Sequence, residues 1–113
     1  SAPFHCSLMK KAEENMKSKI TDAVLKKPNP GIISNVTAKM ENDPAVIKEL
    51  LIKQITSTVR WRESLQYMIN NGIDQFIEIG PGKVLSGLVK RTNRKIKISN
   101  LNSLEDINNY KNK

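Results

Sequence analysis

His5 is the single histidine of the chain, so any imidazole acid–base chemistry near neutral pH falls to it. It follows Ala2-Pro3-Phe4 and stands just before a helical pattern. A loop-to-helix junction seats catalytic side chains but also capping and surface ones, so position alone leaves both readings open. Cys6, the single cysteine, is a nucleophile only with a depressed pKa, and its neighbour His5 is the sole hint of one. Adjacent side chains often diverge, which favours a bystander thiol. Glu78-Ile79-Gly80-Pro81-Gly82-Lys83 joins a strand pattern to a helix pattern. Glycines there let backbone approach a ligand, and the helix start beyond them favours anions. As a phosphate loop it fails on spacing, and Val84 follows Lys83 where the Walker pattern needs Ser or Thr. A tight turn at the end of a sheet strand is the better reading. No serine lies in a Gly-x-Ser-x-Gly elbow. Ser64 and Ser86 fall inside helical patterns as small packing or surface residues, and Trp61 and Met68 read as core.

The elements that must carry these residues follow from periodicity. Leu8, Met9, Ala12, Met16, Ile20, Ala23 and Val24 recur at three- and four-residue spacings, which predicts a helix over 7–25 with Ser7 as N-cap. Pro28, Pro30 and Gly31 end it. Residues 31–36 read as a short strand and a turn. Asn42-Asp43-Pro44 is a helix start, a cap residue before proline at the first helical position, with the helix running to about Gln54. A further helix begins at Thr58-Val59-Arg60-Trp61 and stops at Asn71-Gly72. A strand over 74–79, a helix over 83–92, a strand over 96–99 and a short helix over 103–110 complete the pattern. Strands separated by helices predict an α/β layer arrangement with a mainly parallel sheet. Three short strands make a poor sheet alone, and parallel strands are normally covered on both faces, so the pattern expects further strands alongside.

Composition bounds the rest. A chain of 113 residues allows one small domain, and its 38% apolar content, with only Phe4, Trp61, Tyr67, Phe76 and Tyr110 as aromatics, is low for a self-sufficient core. The opening on Ser1 rather than methionine adds to the expectation of an upstream portion. One cysteine gives no disulfide framework and no CxxC metal pattern. There is no secretory leader and no apolar run long enough to span a bilayer, so the expected address is cytoplasmic, without membrane or metal. The formal charge of +8 comes from 19 Lys and Arg spread over the whole length. They sit at helix-surface spacing, without zinc-finger, RNA-recognition or basic-zipper pattern, so specific nucleic-acid binding is disfavoured. An acidic protein or a phosphate-bearing ligand uses positive charge equally well.

Five stretches taken together resemble the malonyl-CoA:acyl-carrier-protein transacylases, and more broadly the acyltransferase domains of fatty-acid and polyketide synthases. They are Ala2-Pro3-Phe4-His5-Cys6-Ser7-Leu8-Met9, Ser34-Asn35-Val36-Thr37-Ala38, Leu51-Ile52-Lys53-Gln54-Ile55, Val59-Arg60-Trp61-Arg62-Glu63-Ser64 and Glu78-Ile79-Gly80-Pro81-Gly82-Lys83-Val84-Leu85. They stand in the family's order and at its spacing. The resemblance implies a serine, in a Gly-His-Ser-x-Gly elbow, that attacks the malonyl thioester while a histidine takes its proton. His5 matches that histidine, and Gln54 matches the position whose main-chain carbonyl orients it, a role comparable to the aspartate of a Ser-His-Asp triad. It implies malonyl-CoA and the phosphopantetheine thiol of acyl-carrier protein as substrates, with no further cofactor. The family fold is an α/β-hydrolase-like large subdomain with a ferredoxin-like subdomain inserted before the histidine. Residues 1–113 would close the large subdomain. The family's elbow serine, its carboxylate-pairing arginine and its oxyanion-hole glutamine are not among them. The chain alone is therefore expected to be inactive, with the missing N-terminal portion of the enzyme as a partner. A non-catalytic carrier-protein-binding module and a fragment that self-associates through an exposed sheet edge are the rival readings.

Overall fold

The computed structural model describes residues 9–112. His5, Cys6 and Ser7 lie outside them. The chain divides into two compact units, Ser1–Tyr67 and Met68–Lys113.

In the first unit α1 spans Lys10–Asp22, beginning at Met9 without a side-chain cap. Ala12 and Ile20 are half-buried while the lysines between them face solvent, and α1 packs against α2, Pro44–Lys53. Two polar ties add to that packing: Lys48 Nζ donates to the Thr21 carbonyl at 2.8 Å, and Thr56 Oγ1 to Glu13 Oε2 at 2.6 Å. α2 starts as its sequence dictates. The Asp43 carboxylate accepts the Ala45 N–H at 3.0 Å, and Pro44 fills the position where a missing N–H costs nothing. Ile47 and Leu50 carry its buried side.

Between α1 and α2 lies a hairpin, β1 (Ile32–Ile33) paired antiparallel with β2 (Met40–Glu41). The strand expected over 31–36 is thus shorter and closes on a neighbour that the sequence did not reveal. Two residues offer no alternation from which to read a strand. α3, Trp61–Asn70, holds the wholly buried Leu65 and ends where expected: Gly72 takes φ +90° and its N–H bonds the Ile69 carbonyl at 3.1 Å.

The second unit contains β3 (Gln75–Ile79) and β4 (Lys97–Leu101), a parallel pair in register from Gln75↔Lys97 to Ile79↔Leu101. α4, Val84–Thr92, makes the crossover such a pair needs. α5, Leu104–Lys111, is capped reciprocally: Ser103 Oγ accepts the Asp106 N–H and the Asp106 carboxylate accepts the Asn102 N–H. Val89 and Ile96 form the buried apolar part. Along β3, Phe76 and Glu78 are half-buried, whereas Ile77 is 41% and Ile79 78% exposed. The fold is α/β with a small parallel sheet, and one face of β3 presents isoleucine to solvent.

Candidate functional site

Gln54 is the residue at which α2 ends. Its φ of −62° and ψ of −23° keep it helical, and its N–H still bonds the Leu50 carbonyl at 2.9 Å. Its own carbonyl accepts a long bond, 3.4 Å, from the Ser57 N–H. A carbonyl in this place lies at the negative end of the helix dipole, suited to accept an N–H and to favour a cation beside it. The side chain is held as well, because Asn35 Nδ2 donates to Gln54 Oε1 at 3.5 Å. Gln54 also lines an apolar groove of about 440 Å³, together with Ala12, Met16 and Ile20 of α1 and with Leu51 and Ile55. Met9 contributes to the same groove, four positions after His5 in the sequence. His5 and Cys6 themselves fall on residues that are not described.

Glu78 and the turn after it form a second polar centre. The carboxylate accepts the Leu85 N–H at 3.2 Å, the Ser86 N–H at 2.9 Å, the Ser86 hydroxyl at 2.7 Å and Asn100 Nδ2 at 3.2 Å. Asn100 Nδ2 also donates to Ser86 Oγ. The Ser86 hydroxyl, then the Ser86 and Leu85 main-chain donors, hold the Glu78 carboxyl below its ordinary value. Two of the free N–H groups at the start of α4 are therefore already taken by a carboxylate of the same chain. That removes the geometry a phosphate loop requires and supports the tight-turn reading, with Gly80 at φ +129° and Gly82 at φ +82°. Ser86, which sequence reasoning treated as a packing or surface residue, is the buried hydroxyl of this network. Ser64 is buried too, and its hydroxyl donates to the Arg60 carbonyl at 2.8 Å, a structural bond within its own helix start. Trp61 and Met68 are half-buried rather than fully core.

Positive charge gathers at the end of α4. Lys90, Arg91 and Arg94 line an open depression of about 530 Å³. Among the described residues no group of three or more His, Cys, Asp or Glu is placed to hold a metal, and no helix is long and apolar enough to cross a membrane.

No protein-family model matches the chain. A curated relative, the malonyl CoA-acyl carrier protein transacylase of Staphylococcus aureus, is 44% identical over 110 residues, covering 97% of this chain and 36% of the relative. The crystal structure of acyl-carrier-protein-S-malonyltransferase from Bartonella henselae superposes with a TM-score of 0.89 at 40% identity, over 97% of this chain and 35% of that one. A malonyl-transacylase solved with its type II PKS acyl-carrier protein superposes at 0.86 and 31% identity, over 100% of this chain and 37% of that one. The chain spans about a third of the length of the relatives it matches, in the C-terminal part of their larger α/β domain. With this identity along nearly all of its length, the chain corresponds to the C-terminal third of the malonyl CoA-acyl carrier protein transacylases.

Proposed function

We propose that residues 1–113 supply the acid–base part of an enzyme that moves malonyl groups from CoA to acyl-carrier protein for fatty-acid synthesis in the cytoplasm. The observation that carries this is the 44% identity over 97% of the chain. The nucleophile, in this reading, is a serine of the larger portion that the relatives have in addition. Its hydroxyl adds to the malonyl thioester carbon while the His5 imidazole takes the hydroxyl proton. The C–S bond breaks, CoA leaves as the thiol with the proton returned by the imidazolium, and malonyl stays as a serine ester. The pantetheine thiol then gives its proton to His5, attacks the ester and leaves with the malonyl group as the serine is re-protonated. No cofactor enters beyond the two substrates.

Gln54 accepts the other imidazole N–H through its main-chain carbonyl and so selects the tautomer that can take the serine proton. Its place at the negative end of α2 supports that role, since imidazolium forms in both half-reactions. The carrier protein is acidic in this reading and meets the basic end of α4 at Lys90, Arg91 and Arg94, where steering by charge raises the encounter rate. The ferredoxin-like subdomain and the nucleophile elbow lie in the additional portion, which also covers the exposed isoleucine face of β3.

The test adds malonyl-CoA to this chain mixed with a separately expressed N-terminal segment of the family and reads intact masses. A malonyl adduct on the N-terminal piece that needs this chain, and is lost with its His5→Ala variant, is the expected result. An adduct that forms equally with His5→Ala removes the histidine from the mechanism. No adduct in any mixture leaves a carrier-binding module or folding remnant.

A further inference from the structure

We propose that Asn35 is a positioning residue for the transfer, holding Gln54 so that its main-chain carbonyl keeps one heading. This rests on the reading that Gln54 orients His5. α2 ends at Lys53, and the heading of the Gln54 carbonyl is set by the ψ of a helix-terminal residue, the place where helices fray. The Ser57 N–H bonds that carbonyl at 3.4 Å and the Ile55 N–H of the same peptide bonds the Ile52 carbonyl at 3.4 Å, both at the long end of the range. The side-chain bond from Asn35, at the long end of the hydrogen-bond range, reaches across from a different element and restrains the same residue.

The Asn35 end of this tether is itself fixed. The Asn35 carbonyl accepts the Arg60 N–H at 3.1 Å, and Arg60 Nη1 donates to the carbonyls of Val36 at 3.5 Å and Thr37 at 3.4 Å. Ser34 Oγ accepts the Val36 N–H at 3.1 Å, the Ala38 N–H bonds the Ser34 carbonyl at 2.8 Å, and the Ser34 N–H bonds the Lys39 carbonyl at 3.2 Å. Ser34 and Ala38 are buried. A turn bonded at so many points does not follow α2 if its end frays; it holds the end in place. Arg60 thus clamps the turn, the turn aims Asn35, and Asn35 restrains Gln54.

The test uses the full-length transacylase carrying residues 1–113, with Asn35→Ala, Gln54→Ala, the double variant and Asn35→Asp. Gln54→Ala keeps the carbonyl and removes the other end of the tether, so it still reads the tether if Asn35→Ala fails to fold. Each single variant is expected to lower the rate of malonyl-enzyme formation roughly two- to fivefold, the lower part of the range for one hydrogen bond, since this one is long. KM for malonyl-CoA and for carrier protein should stay in place. The double variant should be no slower than Gln54→Ala alone, since Asn35→Ala then cuts a bond already lost. Asn35→Asp should recover most of the rate, because the Gln54 amide can turn and donate to the carboxylate. Losses that multiply in the double variant, or no loss in either single one, overturn the inference. His5→Ala separates the levels: if it leaves transfer intact, the reading of His5 fails. If it abolishes transfer while both tether variants are inert, only the role of Asn35 fails.

Discussion

Truncating Ile79 distinguishes a sheet that is finished within this chain from one that another part of the enzyme completes. Ile79 is 78% exposed here, so Ile79→Ala removes about a fifth of the burial of a side chain whose full burial is worth roughly 1.5–3 kcal/mol. The expected cost in the 113-residue chain is about 0.5 kcal/mol. Leu65, 0% exposed, is the internal standard. Leu65→Ala loses three carbons at about 0.8 kcal/mol each and leaves a cavity, which together come to about 3–4 kcal/mol. In a full-length protein carrying this chain the isoleucine face of β3 should be covered, and the same Ile79→Ala becomes a core truncation costing about 2–5 kcal/mol. Urea unfolding followed by circular dichroism, on the chain and on the full-length protein, gives both values from shifts in midpoint at constant slope. A cost above about 1.5 kcal/mol in the chain alone would show the face already covered there, and dilution would then tell whether a second copy covers it. A cost below about 1 kcal/mol in the full-length protein would refute the idea that the additional portion packs on this face.

Three other outcomes follow from the geometry. Glu78 has a depressed folded pKa, so its stabilising contribution is present above the ordinary carboxylate value of 4.5 and is lost as pH falls through the lower folded value. Glu78→Gln should therefore melt lower than wild type at neutral pH and approach it in acid, and melting curves that stay parallel from neutral pH to about pH 3 would count against the network of Ser86 and Leu85 as the cause. Gly82 has φ +82° and open space around it, so Gly82→Ala should cost about 1 kcal/mol through backbone strain alone, with Gly82→Asn costing less; equal costs would point to a contact instead. Arg91→Glu with Arg94→Glu should raise KM for carrier protein several-fold at low ionic strength, converging with wild type at about 0.5 M salt, and a salt-independent difference would refute electrostatic steering.

What was legible in the sequence was chemistry that acts over one turn of chain. Asp43 before Pro44 marked the start of α2, and Asn71-Gly72 marked the end of α3, because caps and positive φ involve only neighbours. Periodicity placed the long helices and both strands of the parallel pair, β3 and β4, to within a few residues. It carried α1 three residues too far, since Asp22 and Lys26 around Ala23 and Val24 do not distinguish a helix end from its continuation. β2 was not legible, because two residues carry no period. The failure of Gly80-Pro81-Gly82-Lys83 as a phosphate loop was legible from spacing. Its physical counterpart was not, because Glu78 reaches the N–H of Ser86 eight residues on, across a turn whose course spacing does not specify.

The site divides along the same line. His5 and Gln54 came from resemblance, and composition or periodicity alone would have left His5 between a catalytic and a capping role. Asn35 and Gln54 are 19 residues apart, and no local rule pairs two amides at that distance. In the proposed reading, the residues around Gln54 must hold their part of the site in shape for the imidazole. Among the described residues, the frame around Gln54 includes the Arg60 clamp, the turn over residues 34–39 and the end of α2, which α1 also packs against. If Gln54 orients the imidazole as proposed, such a frame sets that orientation from within this unit, and the Asn35 and Gln54 variants read it directly.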